Sequence, residues 1–147
     1  SRADPQKSRE TSRRVFSQAL EDTIEAYRSI GAEVFIVAQV PQQMINPESL
    51  YYRLARDASE DDAQALQRVS ELSVPVEKHD LLQRFTRQLF LRASQSQHIS
   101  LITLDDAFCK DRQCLIGDLH SYYKDFNHLN ARGAGLLAGQ ISHILDQ

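Results

Sequence analysis

The chain has 147 residues, 41% of them hydrophobic and 25% charged, with a formal charge of -3 and an isoelectric point near 5.9. That composition supports a buried core and excludes a disordered chain of low hydrophobicity. The acidic balance, with Arg and Lys dispersed among carboxylates, argues against a nucleic-acid partner, and no apolar run approaches the roughly 18 residues that would span a bilayer.

The chain opens on Ser1 rather than Met, as expected of a fragment whose earlier part lies upstream. Residues 1–10 are polar and predict a flexible lead-in with no signal peptide. Either the protein is cytosolic or its targeting segment precedes Ser1. From about Ser8 to Ser29, Val15, Phe16, Ala19, Leu20, Thr23, Ile24 and Tyr27 recur at three- and four-residue steps, which predicts an amphipathic helix. Gly31 ends it. Residues 33–40 follow as a continuous, β-branched apolar run closed by Pro41, the pattern of a buried parallel strand.

Asn46-Pro47-Glu48 predicts a short helix, with Asn46 as cap and Pro47 at its first position. Residues 57–73 are polar and read as a mobile excursion, although Glu60-Asp61-Asp62 would also suit a helix start or, less readily, Ca²⁺. A long helix is expected from about Glu77 to Ala93 along Leu81, Leu82, Phe85, Leu89 and Phe90, then a second strand over 99–104. The segment holding Cys109 and Cys114 reads as a loop, and Ser121-Tyr122-Tyr123 as briefly extended. The last helix should run from about Asn130 to Leu145. This is an α/β inventory. Its two strands are fewer than the four to six or so of a stable open sheet, so further strands are expected upstream or from a partner.

For Cys109 and Cys114 a local disulfide is favoured over two free thiols. A metal site ranks last, since two cysteines without a spaced histidine give too few ligands. A disulfide would imply an oxidising compartment. His79, His98, His120 and His143 form no spaced ligand pair and read as solvated or capping residues, with His120 near enough to the informative segment to line a site. No metal or cofactor is expected. Arg13-Arg14 reads as a solvated helix face, and Asp105 and Asp106 as the end of the second strand.

The chemistry lies in Tyr122-Tyr123-Lys124-Asp125-Phe126-Asn127-His128-Leu129-Asn130-Ala131-Arg132-Gly133-Ala134. A carboxylate three residues before an imidazole can accept a hydrogen bond from one ring nitrogen, fixing the tautomer and raising the basicity of the other. The second nitrogen can then take the proton of a serine hydroxyl. An isolated Asp-x-x-His is more often a surface turn. Here the pair follows the last expected extended segment and precedes the terminal helix, for which Asn130 serves as cap. Tyr122 and Tyr123 could stack on a sugar ring, though at least one should be core.

These landmarks resemble the SGNH (GDSL-like) hydrolases, and more closely the SGNH domain fused to the C-terminus of family 3 membrane acyltransferases, which O-acylate bacterial surface polysaccharides. The resemblance runs from about Phe16: the helix with Leu20-Glu21-Asp22-Thr23-Ile24, Gly31, the strand Val34–Val40 with Pro41, Phe108 before the Cys109/Cys114 pair, then Tyr123, Asp125, His128-Leu129 and Gly133-Ala134. It implies a flavodoxin-like three-layer α/β/α fold, of which residues 1–147 would be the C-terminal portion of the parallel sheet. It assigns Asp125 and His128 to a Ser-His-Asp triad and leaves Tyr123 as a candidate substrate contact. The family's Gly-Asp-Ser nucleophile motif and its Gly-x-Asn-Asp are absent, and Gly117-Asp118 is followed by Leu119 at the wrong end. The fragment alone should therefore be inactive.

The function so implied is O-acetylation or other O-acylation of a surface polysaccharide such as lipopolysaccharide O-antigen. Its partners would be an acyl donor, a carbohydrate acceptor and an upstream membrane acyltransferase domain, at the periplasmic face of the inner membrane. A secreted carbohydrate or lipid esterase and a catalytically silent binding module are the alternatives.

Overall fold

The computed structural model describes residues 8–57 and 61–145, with side chains described as far as Ser142; the His143 side chain and most of the expected lead-in fall outside that description. The elements run α1 (Arg9–Ser29), β1 (Phe35–Val37), α2 (Pro47–Arg56), α3 (Asp62–Leu72), β2 (Val74–Pro75), α4 (Val76–Gln97), β3 (Ser100–Ile102), α5 (Asp105–Phe108), β4 (Cys109–Lys110), β5 (Gln113–Cys114) and α6 (Ala131–Leu145). They fall into two compact units. One comprises residues up to Val37 together with Phe85–Ile102, and the other Ala38–Arg84 together with Thr103–Gln147.

The first unit holds α1, β1, the later part of α4 and β3. Ser8 caps α1 through the Thr11 amide, and Arg28 sits in its last turn, opposite in sign to the carbonyl end of the helix dipole. At its C-terminus the Gly31 amide bonds Arg28 O at 2.9 Å and the Ala32 amide bonds Tyr27 O at 3.1 Å, a Schellman closure that needs the left-handed φ of 79° at Gly31. The strands β1 and β3 pair in parallel, with Phe35, Ile36 and Val37 opposite Ser100, Leu101 and Ile102. Ile24 of α1, Ala93 of α4 and Ile99 form the buried core, flanked by Leu20, Val34 and Ile36. Both strands are shorter than the apolar runs predict, and β1 is not deeply buried: Val37 is 49% exposed. With one strand neighbour among the described residues, β1 lacks the second ladder and the cover that bury a central strand.

The second unit contains the informative segment. Asn46 and Pro47 open α2 as expected, with the Asn46 side chain accepting from the Ser49 amide at 3.1 Å. Residues 57–73 are not an excursion: most of them form α3. Asp61 caps that helix, and Asp61 and Gln64 complete a reciprocal capping box. Val69 is buried on an otherwise wet helix, which is why apolar periodicity failed to find it. The cysteine segment is also not a plain loop. α5 leads into a β4–β5 hairpin, and β2 adds to β5 to make a three-stranded antiparallel sheet. Cys109 and Cys114 face each other across that hairpin and are bonded. The two-residue turn uses Asp111 and Arg112, both at positive φ (49° and 71°), the backbone that suits the right-handed twist of the flanking strands. Leu50, Val69, Val74, Leu104, Phe108, Cys114, Ile116, Tyr123 and Leu137 supply this unit's core.

Candidate active site

After β5 the chain folds into two successive loops before entering α6, an outer one and then an inner one that carries the motif. Gly117 bridges to Ser121, and Tyr123 bridges to Leu129. The Tyr122 amide bonds Ile116 O at 3.0 Å, the Asn130 amide bonds Tyr122 O at 3.0 Å, and the Lys124 amide bonds His128 O at 2.8 Å. Asp125 to His128 are thus the tip of a hydrogen-bonded inner loop.

At that tip, Asp125 Oδ1 accepts the Asn127 and His128 amides at 3.0 and 2.9 Å, the local turn that a short carboxylate favours. The His128 ring folds back so that Nδ1 lies 2.9 and 2.8 Å from the two Asp125 oxygens. The Asn127 amide, the His128 ring and the His128 amide together hold the Asp125 carboxyl down at about 2, so it is ionised at neutral pH. An ionised carboxylate only accepts, so Nδ1 is the ring nitrogen that donates to it, leaving Nε2 as the one turned away from Asp125. His128 is 72% exposed and Asp125 43% exposed at the side chain. Among the described residues no side chain hydrogen-bonds Nε2, and no serine hydroxyl reaches it. The arrangement is one in which a carboxylate orients an imidazole and can stabilise its charged form.

The start of α6 seats the loop. Asn130 caps the helix by accepting the Gly133 amide at 3.0 Å, while its Nδ2 donates to Ser121 O at 2.7 Å. One side chain therefore joins the helix start to the outer loop. Gly133 is required by contact: a Cβ there would run into the Tyr122 carbonyl and crowd Leu129 Cδ2 at 3.1 Å. The Gly133 next to the motif is a close-approach glycine.

Tyr123 does not offer a sugar a platform. It is 2% exposed, with its ring 5.9 Å from that of Phe108, because the alternation of the extended segment turns it inward. Burial pushes its hydroxyl up to about 12, with the Gln43 side chain opposing and the Asp105 charge adding to the rise. Tyr122 is half-buried and packs edge-on against Phe108.

His79, expected to be a solvated or capping residue, is 1% exposed, and its Nε2 lies 2.9 Å from Asp105 Oδ1. His120 is exposed, and its amide bonds Asp118 Oδ1 at 2.7 Å. Arg13 lies over the Phe85 ring, 4.8 Å from its centroid, and is not merely solvated.

Two supports of the site are not legible from motif spacing. Gln43 is fully buried. Its Nε2 donates to Cys114 O at 3.0 Å, its Oε1 accepts from the Val74 amide at 3.1 Å, and its own amide bonds Phe126 O, inside the motif, at 2.7 Å. Asp118, noted above only for lacking a following serine, accepts from Arg132 and Tyr122. A polar residue following a strand-ending proline, and a Gly-Asp close before the motif, are the only sequence traces of these supports.

Among the described residues no cluster of three or more His, Cys, Asp and Glu could hold a metal ion, and no helix is long and apolar enough to cross a membrane. The family model for the SGNH domain fused to AT3 domains matches residues 1–142, and the chain belongs to that family. Membership suggests acyl-transfer or esterase chemistry and fits an acyltransferase domain joined to this one. No curated protein and no solved structure matches the chain.

Proposed function

We propose that this chain supplies the acid–base half of a Ser-His-Asp acyl-transfer site, in a polysaccharide O-acyltransferase whose serine and oxyanion donors lie outside these residues. The observation that carries this reading is the His128 ring itself, with Nδ1 on a carboxylate and no side chain of the described residues bonded to Nε2. The remaining strands of a flavodoxin-like sheet would pair beyond the parallel β1–β3 pair. The Cys109–Cys114 bond supports an oxidising compartment, here the periplasmic face of the inner membrane.

In this mechanism His128 Nε2 takes the serine proton as the serine oxygen attacks the acyl carbonyl, and the Asp125 carboxylate stabilises the imidazolium that forms. The imidazolium then returns the proton to the leaving group, giving an acyl-serine. In the second half Nε2 deprotonates a sugar hydroxyl, that oxygen attacks the acyl carbonyl, and the serine leaves with the proton.

The test uses the full natural polypeptide. Acetylation of its cell-surface glycan, followed by mass spectrometry, should be lost in His128→Ala and cut about 10⁴-fold in Asp125→Asn, the cost of the wrong tautomer in such a triad. The isolated 147-residue chain should not turn over p-nitrophenyl acetate. Glycan acetylation that survives His128→Ala removes this reading, and activity toward water but never toward a glycan assigns the site to an esterase instead.

A further inference from the structure

His128 is mostly exposed, so packing does not hold it; the backbone of the inner loop does. The stiffness of that loop depends on what closes its base. There Arg132 Nη2, in the first turn of α6, meets Asp118 Oδ2 at 2.6 Å, bridging 14 positions that enclose the whole motif. The Tyr122 hydroxyl donates to the same oxygen at 3.3 Å, and the His120 amide to Oδ1 at 2.7 Å. The Asp118 carbonyl accepts the Tyr51 hydroxyl of α2 at 2.8 Å. One residue thus joins α2, the outer loop and α6.

An ordinary surface ion pair contributes little. Three features set this one apart. The carboxylate accepts from three donors on two sides of the motif. Gly117, beside it, has no room for a side chain, since a Cβ would meet the Tyr51 hydroxyl and the His120 carbonyl. And Arg132 places a cation at the positive end of the α6 dipole, an unfavourable position unless an anion lies against it. Partial burial resists ionisation of Asp118, but the Arg132 and His120 hydrogen bonds, the Arg132 charge and the Tyr122 hydroxyl outweigh it and hold the carboxyl below the usual range.

We infer that Asp118 and Arg132 are positioning residues, a brace that closes the base of the motif loop and fixes where His128 Nε2 points. This inference rests on the acyl-transfer reading above. Neither residue touches the dyad, so their effect passes through the loop backbone.

The test compares Asp118→Asn and Arg132→Lys in the full polypeptide, with p-nitrophenyl acetate as acyl donor and amide exchange of Lys124, whose N–H bonds the His128 carbonyl, as a reporter. Asp118→Asn should lower kcat by about tenfold to a hundredfold, the cost of misplacing a catalytic group by an ångström or less, with KM within about twofold. Lys124 exchange should quicken about tenfold. Arg132→Lys, which keeps the charge, should recover kcat to within about threefold of the parent. If Asp118→Asn fails to fold, Arg132→Gln carries the same comparison. A kcat per folded molecule within twofold of the parent overturns the brace, as does a lost kcat with Lys124 exchange unchanged. If His128→Ala keeps its turnover, the acyl-transfer reading fails by itself, and Lys124 exchange still decides whether Asp118 stiffens the loop.

Discussion

Gln43→Met separates hydrogen bonding from volume in the support beneath the motif. Methionine nearly conserves the volume of glutamine and keeps an unbranched stem, so packing changes little. What is lost is the amide, which bridges the Val74 N–H and the Cys114 carbonyl, both in residues with 0% exposure. A buried backbone group left without its partner costs about 1–3 kcal/mol. Two such groups set the expected loss at about 2–6 kcal/mol, a large fraction of the about 5–15 kcal/mol that holds a domain together. At about 2–4 °C per kcal/mol for a chain of this size, the melting temperature should fall by roughly 4–24 °C. Urea unfolding followed by tyrosine fluorescence reads the change, and amide exchange at Val74 locates it. A loss below about 1 kcal/mol with unaltered Val74 exchange would refute the role given to this side chain.

The remaining predictions concern the motif and its frame. The Asp125 carboxyl should titrate near 2 by carbon NMR, and in His128→Ala it should rise but stay below the usual value, because the Asn127 amide, its largest stabiliser, remains. Since the folded value is depressed, the stability it contributes is present above the unfolded carboxylate range near about 3.9 and is lost as pH falls toward 2. Within α6, Gly135→Ala and Gly139→Ala meet no atom within 4 Å and should each stabilise by about 0.5–1 kcal/mol, whereas Gly133→Ala should destabilise because its Cβ strikes the Tyr122 carbonyl. Thermal unfolding of the three variants gives the signs directly. Replacing Cys109 and Cys114 together by alanine should cost about 2 kcal/mol, the loop entropy of so short a closure, read as a shift in urea midpoint.

What the sequence made legible was whatever depended on local pattern. Ser8, Asn46 and Gly31 mark helix ends through single backbone groups, and each end lies where those residues place it. The Asp125–His128 contact is likewise local, three residues apart and closed by its own turn. Long-range partnership was not legible. Gln43 reaches across 71 positions to Cys114, and Tyr51 across 67 to Asp118. Nothing in a polar side chain's own neighbourhood announces such a partner. α3 was missed for a different reason. It buries one valine, so its evidence lay in the Asp61/Gln64 cap and not in an apolar stripe.

The division between local and distant contacts also bears on how the site works. The proposed triad requires His128 to be held to a fraction of an ångström, yet its side chain stands mostly in solvent. Its precision has to come from the loop, and the loop's from three anchors that differ in kind: the buried amide of Gln43 beneath Phe126, the Asn130 side chain joining Ser121 to the start of α6, and the Asp118–Arg132 pair at the base. The first two are neutral hydrogen bonds in protected surroundings, insensitive to salt. The third is a charge pair that remains partly open to solvent, and screening weakens it. Raising ionic strength from about 0.01 to 1 M, which shortens the Debye length from about 30 to 3 Å, should therefore loosen the base while leaving the other anchors intact. Lys124 exchange should quicken with salt in the parent and hardly respond in Asp118→Asn. An equal salt response in both would mean that the loop takes its rigidity from the neutral anchors alone.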